Sequence, residues 1–205
     1  MDRFIISLGD AAAADAECVG PKAANLAQLG HAGLPTPGGF ALTAAAYHRQ
    51  LRHLGISDLL AQYNEADLPT SRKLSVQIRL ALHEKPIAPE ILEPLLAAWR
   101  AQRSDGSRGV VRSSALIEDR EGANFAGQFE SFLGLTDETE FLTAVRACWA
   151  ALWTSHARRY MDNHGLSPAD TAMGVLIQPL IAAKASGGGL SETAEGHMLL
   201  SATWG

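Results

Sequence analysis

Three short stretches combine cations, hydroxyls and glycines in ways that packing alone does not require. The first is Gly20-Pro21-Lys22. Proline is common at the first helical position, but a lysine in the first turn opposes the helix dipole, at a cost of ~0.3–1 kcal/mol. A bound anion reverses that sign, because the lysine and the open amides of the helix start then face the same negative charge. The alternative, which the spacing taken alone favours, is a solvated surface lysine. The second stretch is Val110-Val111-Arg112-Ser113-Ser114. An arginine where a buried strand becomes a loop, followed by two hydroxyls, suits forked hydrogen bonding to phosphate oxygens. An arginine paired with Glu118 or Asp119 fits the same residues equally well. The third stretch is Phe125-Ala126-Gly127-Gln128-Phe129-Glu130-Ser131. Gly127 would let backbone approach a ligand and Ser131 could bond a phosphate, although a lone loop glycine more often marks a turn.

The elements that must position these residues are legible as periodicity and punctuation. Arg3 to Ser7 reads as a short strand, followed by an Ala/Asp-rich loop. Pro21 to about Ala32 reads as a helix with Leu26 and Leu29 on one face and Gly33 just past its end. A Pro/Gly turn leads into a strand, Phe40 to Leu42, and Thr43 caps a helix that runs to about Leu54. Residues 57–103 hold two or three amphipathic helices, among them Ser71 to His83 and Pro89 to Gln102. GVVR is a short buried strand, the segment from Ser113 to Gln128 a long polar loop, and SFLGL a second strand. Thr136 to about Asn163 is one long helical stretch, with Leu142, Val145, Trp149 and Leu152 three and four apart. MGVLIQPLI is a further strand, SGGGLSETAEGH a flexible loop and HMLLSATW a final strand. Strands interleave with helices, so the expected class is mixed α/β, or α+β.

Composition bounds the function classes. The chain has 205 residues, 47% hydrophobic and 19% charged, which suits a globular protein with a sizeable core. A net charge of -5 gives no general pull toward nucleic acid or anionic membrane, so a phosphate site must be a local arrangement. Cys18 and Cys148 are far apart and in no metal-ligand spacing, which argues against a disulfide scaffold and for a reducing compartment. The start, MDRFIISLGD, is not read as a secretion signal, and no run approaches the ~20 apolar residues of a membrane helix, so the expected location is cytoplasmic.

Several stretches together resemble the N-terminal nucleotide-binding domain shared by phosphoenolpyruvate synthase, pyruvate phosphate dikinase and rifampicin phosphotransferase. They are VGPKAANLAQL, GLPTPGGFALTAAAY, VVRSSALIEDREGANFAGQFESFLGL, VRACWAALWTSHARRY, VLIQPLI and SATWG, in that order. They cover essentially the whole chain and look most like the synthase branch. The resemblance implies an ATP-grasp-like fold in which two lobes close on a nucleotide, with residues 1–184 the first lobe and 185–205 the start of a second whose remainder is missing. It implies that Lys22 and Arg112 contact the triphosphate. Gly127, Gln128 and Ser131 would lie in a loop over the phosphates, and Gln178 would border the nucleoside. The implied cofactors are ATP and magnesium, the metal's ligands falling mainly on the missing lobe. The implied partners are histidine-carrying and acceptor-binding domains or subunits, with no nucleic acid and no membrane. The family reaction passes a phosphoryl group from ATP to a histidine and then to an acceptor such as pyruvate. With the resemblance counted, phosphate binding is favoured at all three stretches.

The departures from that family matter too. The family usually has two glycines before the lysine, whereas Pro21 stands in the second place here and stiffens the turn. The segment near SGGGLSETAEG looks shortened. The final strand ending at Gly205 suggests a chain that lacks most of its second lobe, with weak or no turnover by itself. Thr154-Ser155-His156-Ala157 spells a sequence that, after a Gly-Gly turn, carries the phosphorylated histidine in enzymes of this kind. Here no glycine turn precedes it, and it reads as a helical-surface histidine. Two other functions stay open: a non-catalytic nucleotide-binding or regulatory module, and the ATP-binding part of a relative that uses another acceptor, such as a phenol or a rifamycin.

Overall fold

The structure is a computed structural model that describes residues 3–103, 105–117, 129, 131–163, 165–168 and 171–204. Five strands form one sheet: β1 (Ile5–Ser7), β2 (Phe40–Leu42), β3 (Gly109–Ala115), β4 (Ser131–Leu135) and β5 (Met173–Pro179). Their spatial order is β1-β2-β5-β3-β4, and each neighbouring pair is antiparallel. Central β5 is the structural hinge of this order. It pairs with β2 through Phe40↔Ile177 to Leu42↔Val175, and with β3 along seven positions from Gly109↔Pro179 to Ala115↔Met173. Buried on both faces, β5 reads as an apolar run rather than an alternating one.

Helices cover the two faces unequally. On one face lie α3 (Ala44–Leu54), α4 (Ser57–Glu65), α5 (Leu68–Glu84), α6 (Pro89–Gln102), α7 (Glu138–Ala151) and α8 (Ser155–Asn163). They pack large side chains, including Tyr47, Ile78, Leu95, Trp99, Phe141, Trp149 and Trp153, onto Val111, Ala115, Val175 and Ile177. Polar starts fix where these helices begin, since an oxygen at the cap satisfies a first-turn amide. Thr43 accepts from the Ala46 amide at 3.3 Å, Asp67 from Thr70 at 3.0 Å and Asp137 from Glu140 at 2.8 Å. Fully buried Gln50 ties α3 to the segment before α6, donating to the Pro86 carbonyl at 3.1 Å and accepting from the Ala88 amide at 2.8 Å. Deep in this layer the Trp153 indole donates to the Tyr47 hydroxyl at 2.7 Å. Burial pushes the Tyr47 phenol well above its ordinary value, only partly offset by that bond.

The other face is covered at the β1-β2-β5 end by a 3-10 turn (Ala11–Ala14), α1 (Ala16–Val19) and α2 (Pro21–His31). Here α2 packs through its small residues. Its buried residues are Pro21, Ala23, Ala24 and Ala27, whereas Leu26 is only partly buried and Leu29 is 44% exposed. Small side chains let the helix lie close to the sheet, and proximity outweighs the larger transfer energy a leucine face would offer.

Other boundaries differ as well. The Ala/Asp-rich segment is helical, with Asp10 and Asp15 capping successive turns. Strand β3 runs on to Ala115, so Ser113 and Ser114 are buried strand residues rather than loop hydroxyls. The long stretch after Thr136 is two helices. Thr154 ends one and starts the next, donating to the Ala151 carbonyl and accepting from the Ala157 amide, both at 3.1 Å. The glycine run at 187–189 is strand β6 (Ala185–Leu190), paired antiparallel with β7 (Leu199–Trp204) in a separate two-stranded sheet. Glycine is depleted in strands, and here the pairing with β7 imposes the conformation, which is why composition alone reads it as a loop. No helix among the described residues is long and apolar enough to cross a membrane.

Replacing Trp153 by Phe removes the donor to Tyr47 while keeping an aromatic ring. We expect a stability loss of ~1–3 kcal/mol in chemical denaturation, the range for stranding a buried polar group. The same change at Trp204, which is 88% exposed, should leave the midpoint unmoved.

Candidate functional site

In an antiparallel ladder, paired residues share a face, as do alternate residues along one strand. Arg112 pairs with Leu176 of β5 on one side and Ser131 of β4 on the other. Val110 pairs with Gln178 and Leu133. The face that carries Ile6, Ala41 and Leu176 under α1 and α2 therefore continues outward as Gln178, Arg112, Ser131 and Leu133. Beyond the edge of α2 this face is open: Arg112 is only partly buried, Ser131 is exposed and Leu133 is 67% exposed.

The start of α2 docks at the border of that open area. Gly20 takes a φ of 79°, in the region that favours glycine, and a Cβ there would lie 2.0 Å from the Ser114 carbonyl oxygen. Ser114 Oγ accepts from the Ala23 amide at 3.4 Å, so one first-turn donor of the helix is met by the strand. Lys22 Nζ donates to the Ser113 carbonyl at 3.0 Å. A second close approach supports the first: a Cβ on Gly174 would stand 2.3 Å from the Val19 carbonyl oxygen, so β5 must be bare where α1 crosses it. The lysine amine is thereby delivered to the residue next to Arg112, despite 90 residues of intervening chain.

The other residues singled out from the sequence are distributed as follows. Ser131 is the cross-strand partner of Arg112. Gln178 is on the same face but 6% exposed, and its amide donates to the Gly38 carbonyl at 3.3 Å, which holds the turn before β2 against β5. Gly127 and Gln128 lie outside the described residues, as do Glu118 and Asp119, the alternative partners of Arg112. Among the described residues the Arg112 guanidinium has no hydrogen-bond or ion-pair partner. His156 is exposed in the first turn of α8, on the helical face of the sheet, not in the middle of a helix as expected. Among the described residues no group of three or more His, Cys, Asp or Glu side chains is placed to hold a metal ion.

Two roles escaped the sequence reading. Ser114 anchors α2 rather than offering a free hydroxyl, and Gly174 admits α1. The glycine inside an otherwise apolar strand run was the available signal for the second. Nothing local marks the first.

Chemically, the site can hold a multiply charged anion. A lysine amine, an arginine fork and the start of an eleven-residue helix, one of whose amides Ser114 already meets, border one open patch of sheet. A polyphosphate fits that donor set. The described residues alone do not supply a metal site.

If the Gly20–Ser114 contact sets the position of Lys22, Gly20→Ala should lower stability by ~1–3 kcal/mol, from the positive φ and the displaced helix start. Thermal denaturation checks the loss. A Gly33→Ala control, also at positive φ but with nothing within 4 Å of the added Cβ, separates backbone strain from the steric displacement.

Comparison with known proteins identifies the family. Residues 16–205 match the family described as pyruvate phosphate dikinase, AMP/ATP-binding domain. The phosphoenolpyruvate synthase of Aeropyrum pernix is 33% identical over 178 residues, covering 82% of this chain and 22% of its own length. A rifampicin phosphotransferase of a Streptomyces species is 33% identical over 190 residues, covering 90% of this chain and 22% of its own. A probable phosphoenolpyruvate synthase of Methanothermobacter thermautotrophicus is 27% identical over 216 residues, covering 100% of this chain and 32% of its own. The chain thus spans between about a fifth and a third of the length of these relatives. With the match running from Ala16 through both candidate cations to the end of the sequence, the chain belongs to the pyruvate phosphate dikinase AMP/ATP-binding domain family.

Proposed function

We propose that the open sheet face beside α2 binds the triphosphate of ATP through Lys22 and Arg112, and that the chain is the ATP-binding part of a phosphoenolpyruvate synthase-like phosphotransferase. The observation that carries this reading is the hydrogen bond from Lys22 to the carbonyl next to Arg112, which brings two cations from distant segments to one patch. Ser131, opposite Arg112, adds a hydroxyl, and Gly127 and Gln128 would belong to the loop closing over the phosphates. Gln178, at the other end of the same face, would border the nucleoside. Magnesium, if bound, would add charge neutralisation, and its ligands would lie outside the described residues of this chain.

In this reading the fold is ATP-grasp-like. Residues 1–184 form the first lobe and 185–205 begin a second, a division supported by β6 and β7 pairing with each other outside the main sheet. The chain's own contribution to reactivity is positioning and charge cancellation. Lys22 and Arg112 hold phosphate oxygens while a histidine nitrogen, carried elsewhere in the enzyme, attacks phosphorus and the bond to the bridging oxygen breaks. The phosphohistidine then passes its group to an acceptor such as pyruvate. Relatives named as rifampicin phosphotransferases support a second choice of acceptor, a rifamycin, for the same ATP-binding part.

Fluorescent-nucleotide titration tests the site. Losing one charge-assisted contact removes ~1.5–3 kcal/mol, so Lys22→Ala and Arg112→Ala should each weaken binding about tenfold or more. Arg112→Lys should recover only part of the loss, because a point charge replaces a fork. Affinity equal to the unaltered chain in both alanine variants would remove the proposal. A Trp204→Phe variant serves as the unaffected control.

A further inference from the structure

The helical side of the sheet carries a second recess that the nucleotide reading does not use. It lies at the junction of α3 and α4, across the sheet from Lys22 and Arg112, with a volume of ≈ 190 Å³. His48, Arg52 and Ser57 form an exposed rim, and Leu51, Trp153 and Thr171 are buried beneath it. His48 and Arg52 stand one helical turn apart on α3, so both face the opening. The Arg52 guanidinium has no hydrogen-bond or ion-pair partner among the described residues, its carbonyl being taken by the Gly55 amide.

Two independent features point to an occupant. The nine-residue helix α4 opens at Ser57 after Ile56, a residue that provides no side-chain cap, so its first amides remain open donors. Asp58 in that first turn offers the helix dipole a negative charge, but it is not one of the lining residues. Separately, Thr171 at the floor is 7% exposed, and its hydroxyl has no hydrogen-bond partner among the described residues. Buried hydroxyls are normally satisfied, and one left without a partner in the wall of a recess indicates a missing ligand atom or water. The remaining walls, Leu51, Leu60, Trp153 and Pro168, are apolar.

We propose that this recess binds a small amphipathic monocarboxylate, its oxygens taken by Arg52, the open amides at Ser57 and the Thr171 hydroxyl, and its short apolar body seated on Leu51, Leu60 and Trp153. The volume is below the usual range of ~300–1,000 Å³ for larger ligands, which excludes a nucleotide. One arginine in a largely apolar wall matches a monoanion, since a dianionic phosphate would lose more hydration than a single fork returns. Thr171 lies two residues before β5, the strand that carries Gln178 at its far end, so occupancy would bear directly on the sheet's central strand.

The test is an amide-resolved NMR titration of the full chain with isobutyrate, alongside its neutral isostere isobutyramide and inorganic phosphate. Isobutyrate should give saturable shifts at Ser57, Asp58 and Thr171, with a dissociation constant on the order of 1–10 mM for so small a ligand. Isobutyramide should bind about tenfold more weakly, and Arg52→Gln should weaken isobutyrate by a similar factor. Thr171→Val, close in shape, gives a second readout should Arg52→Gln fail to fold, and it too should weaken binding. No saturable shift up to about 50 mM, shifts confined to other residues, or equal binding of acid and amide would each overturn the assignment. So would phosphate saturating the same amides more tightly than isobutyrate. A nucleotide titration on the same samples separates the two sites, because none of these variants touches Lys22 or Arg112.

Discussion

The position of the candidate nucleotide site depends on one close contact, the backbone of Gly20 lying against the Ser114 carbonyl where no side chain could fit. That contact fixes where α2 begins, and therefore where Lys22 reaches. It also makes the helix start a neighbour of β3, which carries Arg112. The alanines at 23, 24 and 27 extend the same logic along the helix, and Gly174 repeats it under α1. Small residues on one side of the sheet are thus a single device: they bring a helix N-terminus near enough for its donors and an adjacent cation to act on the sheet's open edge.

The two faces divide the remaining work. The helical face buries Trp99, Trp149, Trp153 and most of the aliphatic core, and so supplies most of the hydrophobic stabilisation. The other face holds a small alanine-rich cluster and then stops, leaving Arg112, Ser131 and Leu133 open. An arginine with apolar neighbours and no carboxylate among the described residues is poorly placed for stability alone. In a chain of net charge -5, it is a local positive field that must be explained by what it faces.

Much of this was legible beforehand, and the failures have physical causes. Thr43 as a cap, Phe40–Leu42 and SFLGL as strands, and the helix from Pro21 were local features, readable from cap chemistry, alternation and proline placement. The pairing of Arg112 with Ser131 and the arrival of Lys22 beside it are contacts across 19 and 91 positions, and no local window contains them. Which face of α2 packs was not legible, because distance of approach, and not hydrophobicity, put Ala23, Ala24 and Ala27 against the sheet. The glycine run of β6 looked like a loop because its conformation is imposed by a partner strand. Ser114 was misjudged for a related reason: a hydroxyl beside a candidate arginine invites a binding role, but its acceptor is taken by a helix amide.

Central β5 has a consequence for how the molecule is made. Strand β2 is made well over a hundred residues before its partner, residues 175–177, and β3 also waits for the same strand. Until that late segment leaves the ribosome, β2 and β3 have no common neighbour, and the sheet that presents Arg112 to Lys22 cannot close. Contacts of such long sequence separation are slow to form, because loop closure must precede the gain from pairing. The helices between Ala44 and Gln102 can collapse first as a local layer, and the open surface around Arg112 acquires its shape only once β5 is in place.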